Sequence, residues 1–295
     1  MNSSTPEDYA APKVIAEIGC NHRGEMPAAR ELISLAATFA GADVAKFQKR
    51  CPRELLTAEQ YSTPHPNPMH AYGETYGEHR EFLEFSLEQH RQLQEWCREF
   101  GIEYSTSVWD LTSAREIAEL QPTLIKIPSA CNTHDEMLRF LCDSYAGEIH
   151  ISLGMTSRQE EEALIELLVE KQRTQDVVLY SCTSGYPVPF EDVCLLEISR
   201  LQATYGGTVR AIGFSGHHLG ISVDIAAYTL GAEWIERHFT CDRTWKGTDH
   251  AASLEPDGLR RMVRDLRAVR RSLTSRPQEI LDIEVAQRKK LKYRK

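Results

Sequence analysis

Eight times along the chain, a short apolar run rich in β-branched residues is followed by a stretch of helical length. This alternation limits the possible folds more than any other property of the sequence. The runs are VIAEIG (14–19), ADVAKFQ (42–48), GIEYSTS (101–107), TLIKIPS (123–129), EIHISLG (148–154), DVVLYSC (176–182), VRAIGFS (209–215) and AEWIERH (232–238). They are continuously apolar rather than alternating, as strands of a parallel sheet covered by helices should be. Between them, PAARELISLAATFA (27–40) sets Ala29, Leu32, Ile33 and Ala36 on one stripe and stops at Gly41, a good C-terminal breaker. LEQHRQLQEWCREF (87–100) likewise stops at Gly101. SRQEEEALIELLVEK (157–171) opens with Ser157 and carries Glu160 three residues later, a capping-box pattern. LGISVDIAAYTLGA (219–232) and DGLRRMVRDLRAVRRSL (257–273) supply the last two helices, and shorter ones fit near 111–120, 134–145 and 191–203. Eight β–α units predict an α/β fold, a (β/α)8 TIM barrel. The competing doubly wound sheet usually carries a GxGxxG turn after its first strand, and none is present.

The units occupy residues 1–275 of a 295-residue chain, interrupted by a Pro-studded segment at 51–85 (Pro52, Pro64, Pro66, Pro68) that reads as an irregular lid or partner contact. A basic helical tail, 276–295, follows the last unit. The net charge of −9 provides no general field for nucleic acid. No run approaches the ~20 apolar residues of a membrane span, and the first residues lack the basic start and apolar core of a secretory signal. The eight cysteines stand at least eleven positions apart, so no CxxC motif exists and a reducing, cytoplasmic setting is expected.

In a barrel, chemistry gathers at the C-terminal ends of the strands. Those ends carry Glu17, Lys46 and Gln48, Thr106, Lys126 and Ser129, Ser152, Cys182 and Ser184, Ser215 and His217, then Glu236 and His238. Charges there need partners or solvent. Two lysines among hydroxyls suit an anion with many acceptors, a phosphate or carboxylate. Two imidazoles from adjacent strands suit a metal ion or an acid/base pair, and the residues alone leave both open. Glu17 is a candidate base or stabiliser of positive charge.

At these residues the sequence resembles the sialic acid synthase (N-acetylneuraminate synthase) family. The segments that carry the likeness are IAEIGCNHRGEMPAARELI (15–33), ADVAKFQ (42–48), IKIPSACN (125–132), ISLGMTS (151–157), CTSGYPVPFEDV (182–193), IGFSGHHLG (212–220) and IERHFTCDRTWKGTDHAASLEP (235–256). The resemblance implies a transferase that condenses phosphoenolpyruvate with an aldose or acylamino sugar, releasing phosphate and a 2-keto-3-deoxy acid of the nonulosonic type. It implies His217 and His238 as catalytic metal ligands, with Asp249 holding a metal-bound water. The metal would be Mn2+ first, with Mg2+ or Co2+ as alternatives. Lys46, Thr106, Lys126, Ser129, Ser152, Ser184 and Ser215 would cradle phosphoenolpyruvate, and Glu17 would face the cationic centre that develops at C2. Gln48, Cys131 and Tyr186 would border the sugar, and the protein would be a homodimer.

The departures from the family pattern bear on the sugar. After Lys126 the family usually carries Ser-Gly-Glu or Ser-Gly-Asp, whereas this chain has Ser129-Ala130-Cys131. Gly216 stands where an Asp is usual before the histidine of the seventh strand. The family's small C-terminal antifreeze-like domain is expected to be missing, so that the site either closes differently, with residues 51–85 as the candidate, or accepts a different aldehyde. A metal-dependent aldolase or lyase on the same barrel, or a non-catalytic sugar-binding relative, is the alternative to the synthase.

Overall fold

The computed structural model describes residues 9–293; the N-terminal residues read above for a signal lie largely outside it, as do the last two basic residues of the tail. Eight parallel strands close into a barrel in sequence order. They are β1 (Lys13–Gly19), β2 (Val44–Lys49), β3 (Glu103–Val108), β4 (Leu124–Ile127), β5 (Glu148–Ser152), β6 (Val177–Cys182), β7 (Ala211–Gly216) and β8 (Trp234–His238). Each strand falls on its expected run, with β1, β2, β3 and β7 reaching one residue beyond it. The helices are α1 (Met26–Ser34), α2 (Pro52–Leu55), α3 (Ala58–Ser62), α4 (Tyr76–Leu83), α5 (Leu87–Phe100), α6 (Leu111–Glu119), α7 (Asp135–Ser144), α8 (Arg158–Glu170), α9 (Glu197–Tyr205), α10 (Ser222–Thr229), α11 (Pro256–Ser272) and α12 (Asp282–Leu291).

Side chains alternate across each strand with period two, and this alternation positions the site. Outward residues such as Ala16, Phe47, Tyr104, Ile125, Ile151, Leu179, Phe214 and Ile235 meet the helices in the main core. Inward, Ile15, Val44, Leu124, Val178, Tyr180, Ala211 and Trp234 form a separate apolar plug in the lower barrel. Gly213 leaves room for this plug: a Cβ there would lie 2.6 Å from the Tyr180 ring. One step further along each strand, the inward positions become polar.

Two expectations about local structure need correction. Residues 51–85 are not an irregular loop, since they contain α2, α3 and α4. Capping boxes Thr57/Gln60 and Thr75/Glu78 start α3 and α4. The segment docks on the barrel mouth through Tyr72, whose hydroxyl donates to Lys246 O at 2.6 Å. It also leans on Gly24, where a Cβ would lie 2.6 Å from Phe82 O. The helix expected at 191–203 begins instead at Glu197, after a short 3-10 turn at Phe190–Asp192. In the tail, α12 carries Arg288, Lys289 and Lys290 in its last turn, where cations favour the helix dipole.

Candidate active site

The polar layer above the plug opens into a cavity of about 290 Å³ at the C-terminal end of the barrel. Of the residues picked from the sequence, Glu17, Lys46, Gln48, Lys126, Ser129, Ser152, Ser184, Tyr186, Ser215, His217 and His238 line it. The two lysines enter from β2 and β4, and both are almost wholly buried. Lys46 pairs with Glu17 and donates to Ser107 Oγ at 2.7 Å. Lys126 Nζ lies 3.2 Å from Glu236 Oε2 and 3.1 Å from the centre of the Tyr180 ring. Glu236 also lies 3.7 Å from Lys46 Nζ and accepts from Ser215 Oγ at 3.0 Å.

Burial sets the protonation of this group. It pulls Lys126 down to about 8, with Lys46 adding to the shift and Glu236 opposing it. It pushes Glu17 up to about 7 against the pull of Lys46. Burial works the same way on Glu236, but there Lys126 and Lys46 outweigh it and hold the carboxyl well below the usual range. Gln48 Nε2 donates to Glu17 Oε1 at 2.9 Å and so orients that carboxyl.

The imidazoles form the other wall. The His217 and His238 ring centres are 5.5 Å apart, and the Tyr186 ring lies 4.4 Å and 6.0 Å from them. His217 Nδ1 donates to Thr183 O at 3.0 Å, which makes Nε2 the acceptor nitrogen of the ring, on the side of the Cys182 thiol. Burial lowers His238 and keeps it neutral, and its Nδ1 has no hydrogen-bond partner. Asp249 lies outside the cavity lining, but its charge acts on His238 and its own carboxyl is held down in return, against burial. Among the described residues, no cluster of three or more His, Cys, Asp or Glu is arranged to hold a metal. Cys182 also lines the cavity; hydrogen bonds with His217 and Ser129 outweigh its burial and hold the thiol below its ordinary range.

Two expected site residues point elsewhere. Thr106 lies on the outward side of β3, where its hydroxyl donates to Tyr104 OH at 2.7 Å; its neighbour Ser107 is the residue that lines the cavity. Cys131 turns into the core and donates to Trp109 O at 3.1 Å, leaving Ala130 and Trp109 at the cavity wall. Glu236 and Ser107 also line the cavity and have no expected role, although Ser107 pairs in register with Gln48 and Lys126, and Glu236 with Ser215.

The profile of the NeuB family matches residues 32–278. The chain is 37% identical over 278 residues to N-acetylneuraminate-9-phosphate synthase of Homo sapiens, covering 94% of this chain and 76% of that one. It is 33% identical over 261 residues to N,N'-diacetyllegionaminic acid synthase of Campylobacter jejuni, covering 88% and 77%. The crystal structure of N-acetylneuraminic acid synthetase from Leptospira borgpetersenii, in complex with citrate, superposes with a TM-score of 0.79 at 27% identity, covering 97% of this chain and 94% of that one.

Proposed function

The chain belongs to the NeuB family, and on that premise we propose that its barrel condenses phosphoenolpyruvate with an aldehyde sugar to give a nonulosonic-type 2-keto-3-deoxy acid and phosphate. The observation that carries this reading is the pair of buried lysines, Lys46 and Lys126, set among serine hydroxyls beside two neutral-capable imidazoles in one cavity. In the reaction, C3 of phosphoenolpyruvate forms a bond to the aldehyde carbon, whose oxygen takes a proton. Water adds at C2, and phosphate leaves with its bridging oxygen. Lys46 and Lys126, with Ser107, Ser129, Ser152, Ser184 and Ser215, hold the phosphate and carboxylate. Glu17 faces the positive charge that develops at C2, and Gln48 and Tyr186 border the sugar.

The donor set fits a divalent cation. The Thr183 contact makes His217 Nε2 the acceptor nitrogen of its ring, and burial lowers His238, whose Nδ1 has no hydrogen-bond partner. Water or substrate would complete such a site, and Asp249, whose charge acts on His238, is the residue proposed to hold a bound water. When bound, the cation supplies Lewis-acid polarisation of the aldehyde carbonyl. Mn2+ is the first choice, and Mg2+ or Co2+ the alternatives. We extend the reading to a homodimer, supported by exposed apolar side chains around the mouth: Met155, Tyr186, Phe190, Leu196 and Leu219.

The test is incubation with phosphoenolpyruvate, Mn2+ and a panel of aldoses and acylamino sugars, free and phosphorylated. The expected result is phosphate release matched by 2-keto acid with at least one sugar. Consumption of pyruvate in place of phosphoenolpyruvate would identify an aldolase instead. For the metal, His238→Ala is expected to lose bound Mn2+ while keeping its far-UV spectrum and cooperative melt; unchanged Mn2+ content would remove His238 from the ligand set.

A further inference from the structure

We propose that Glu236 is a built-in counter-ion of the anion site. Its carboxylate occupies the cationic ground that an incoming phosphate or carboxylate group takes over, and so sets how tightly the anion is held and how readily it leaves. The inference rests on the reading that Lys46 and Lys126 receive phosphoenolpyruvate.

The geometry points to Glu236 for three reasons. First, Oε2 stands between the two ammonium groups, 3.2 Å from Lys126 and 3.7 Å from Lys46, while Oε1 accepts from Ser215 at 3.0 Å. Each of these partners lines the cavity, and each is a group the anion would use. Second, the charges oppose one another. Glu236 sets a carboxylate against both lysines, so part of the positive charge a polyanion would meet is already offset. Third, the two carboxylates divide the work differently. Glu17 is tied to Lys46 and Gln48 alone, whereas Glu236 spans both lysines.

A pocket of free lysines would bind phosphate strongly and release it slowly, although phosphate must leave in every turnover. A carboxylate that swings off the lysines as the anion enters, and returns as it departs, weakens the bound state and speeds release. Ground-state binding is thereby traded for turnover.

The experiment compares wild type, Glu236→Gln and Glu236→Asp, each chelator-treated and each loaded with Mn2+, for binding of inorganic phosphate by isothermal titration calorimetry. Steady-state kinetics with phosphoenolpyruvate follow. Removing one charge in contact with the site is expected to tighten phosphate binding by roughly tenfold or more, with and without Mn2+. In the kinetics, KM for phosphoenolpyruvate and kcat should fall together in Glu236→Gln. A merely structural role would raise KM instead. Unchanged or weaker phosphate binding overturns the proposal, as does tightening seen only with Mn2+, which would be an effect relayed through His238. If Glu236→Gln does not fold, Glu236→Asp decides: it keeps the charge but withdraws it from the lysines by one methylene, so a smaller tightening supports the proposal and none overturns it. The phosphate measurement does not depend on turnover. If wild type condenses no sugar, the proposed reaction falls while Glu236 is still judged.

Discussion

Two neighbouring residues on β8 anchor two buried ion clusters with opposite fates. Glu236 points inward to Lys46, Lys126 and Ser215, all at the wall of an open cavity. Arg237 points outward, where its guanidinium donates to Asp224 at 2.6 Å and to the carbonyls of His218 and Gly220 at 2.5 and 2.8 Å. Arg237 and Asp224 have no solvent exposure in their side chains. The inner cluster surrounds space that a ligand can fill. The outer one ties down the turn that presents His217, and its Arg237, His218 and Gly220 back a second pocket that shares no lining residue with the first. Burial, charge and a neighbouring pocket therefore do not separate the two clusters. What separates them is that the inner charges share one cavity with the strand-end serines and both imidazoles, His217 and His238.

The comparison is broken most forcefully at Arg237. Arg237→Met strips the buried Asp224 of its guanidinium and leaves it only His218 Nε2, 3.3 Å away, at a cost of about 3 kcal/mol. Urea unfolding is expected to show that loss. A variant as stable as wild type would mean that the Arg237–Asp224 pair does not hold this part of the fold together. At the inner cluster the consequences reverse. Lys126→Met removes a donor from the proposed anion cradle, and phosphate release from phosphoenolpyruvate is expected to fall by a factor on the order of 10²–10³. Its unfolding midpoint should move far less than that of Arg237→Met, because Glu236 keeps Lys46 as a counter-charge. A large loss of stability with turnover preserved would exchange the roles of the two clusters.

Acidity sharpens the same contrast from the inner side. The Glu17 carboxyl stands at about 7 in the folded chain against 4.5 for an ordinary glutamate. Because the folded value is the higher one, its contribution to stability is complete below about 4.5 and is lost as pH rises through about 7. The difference amounts to about 3 kcal/mol. Glu17→Gln cannot ionise and does not suffer that loss. The variant and wild type are therefore expected to unfold at similar urea concentrations at pH 5, with the variant pulling ahead by pH 8. Unfolding curves that stay parallel from pH 5 to 8 would show that Glu17 does not titrate in that window.

Much of this was legible in the sequence, because strand number, helix stripes and the two imidazoles are carried by residue type and spacing. What was not legible traces to parity. Thr106 stands among strand-end hydroxyls and has the right chemistry, but Lys46 pairs in register with Ser105, so the inward residues of β3 are Ser105 and Ser107. The same rule places Glu236 inward between Trp234 and His238, beside the residue pairs Ser215–Glu236 and Glu17–His238 of the adjoining strands. The helices of residues 51–85 were written in Thr57-x-x-Gln60 and Thr75-x-x-Glu78, capping signals that four prolines obscured. The orientation of Cys131 was not legible, since a 3-10 turn at Ser129–Cys131 decides which of three consecutive residues faces the cavity.

The parity argument gives the mildest pair of variants. Thr106→Val deletes one buried hydroxyl that donates to Tyr104 OH, a phenol also 2.7 Å from His90 Nδ1. The expected cost is about 1 kcal/mol of stability, with KM for phosphoenolpyruvate unchanged. Ser107→Ala, one residue along, removes the neutral acceptor that holds Lys46 Nζ at 2.7 Å. Its stability cost should be similar, but Lys46 then relaxes toward Glu17, away from the anion, and KM for phosphoenolpyruvate should rise several-fold. Steady-state kinetics on the two variants side by side read strand parity directly. A rise in KM for Thr106→Val with none for Ser107→Ala would mean that β3 presents its other face to the cavity.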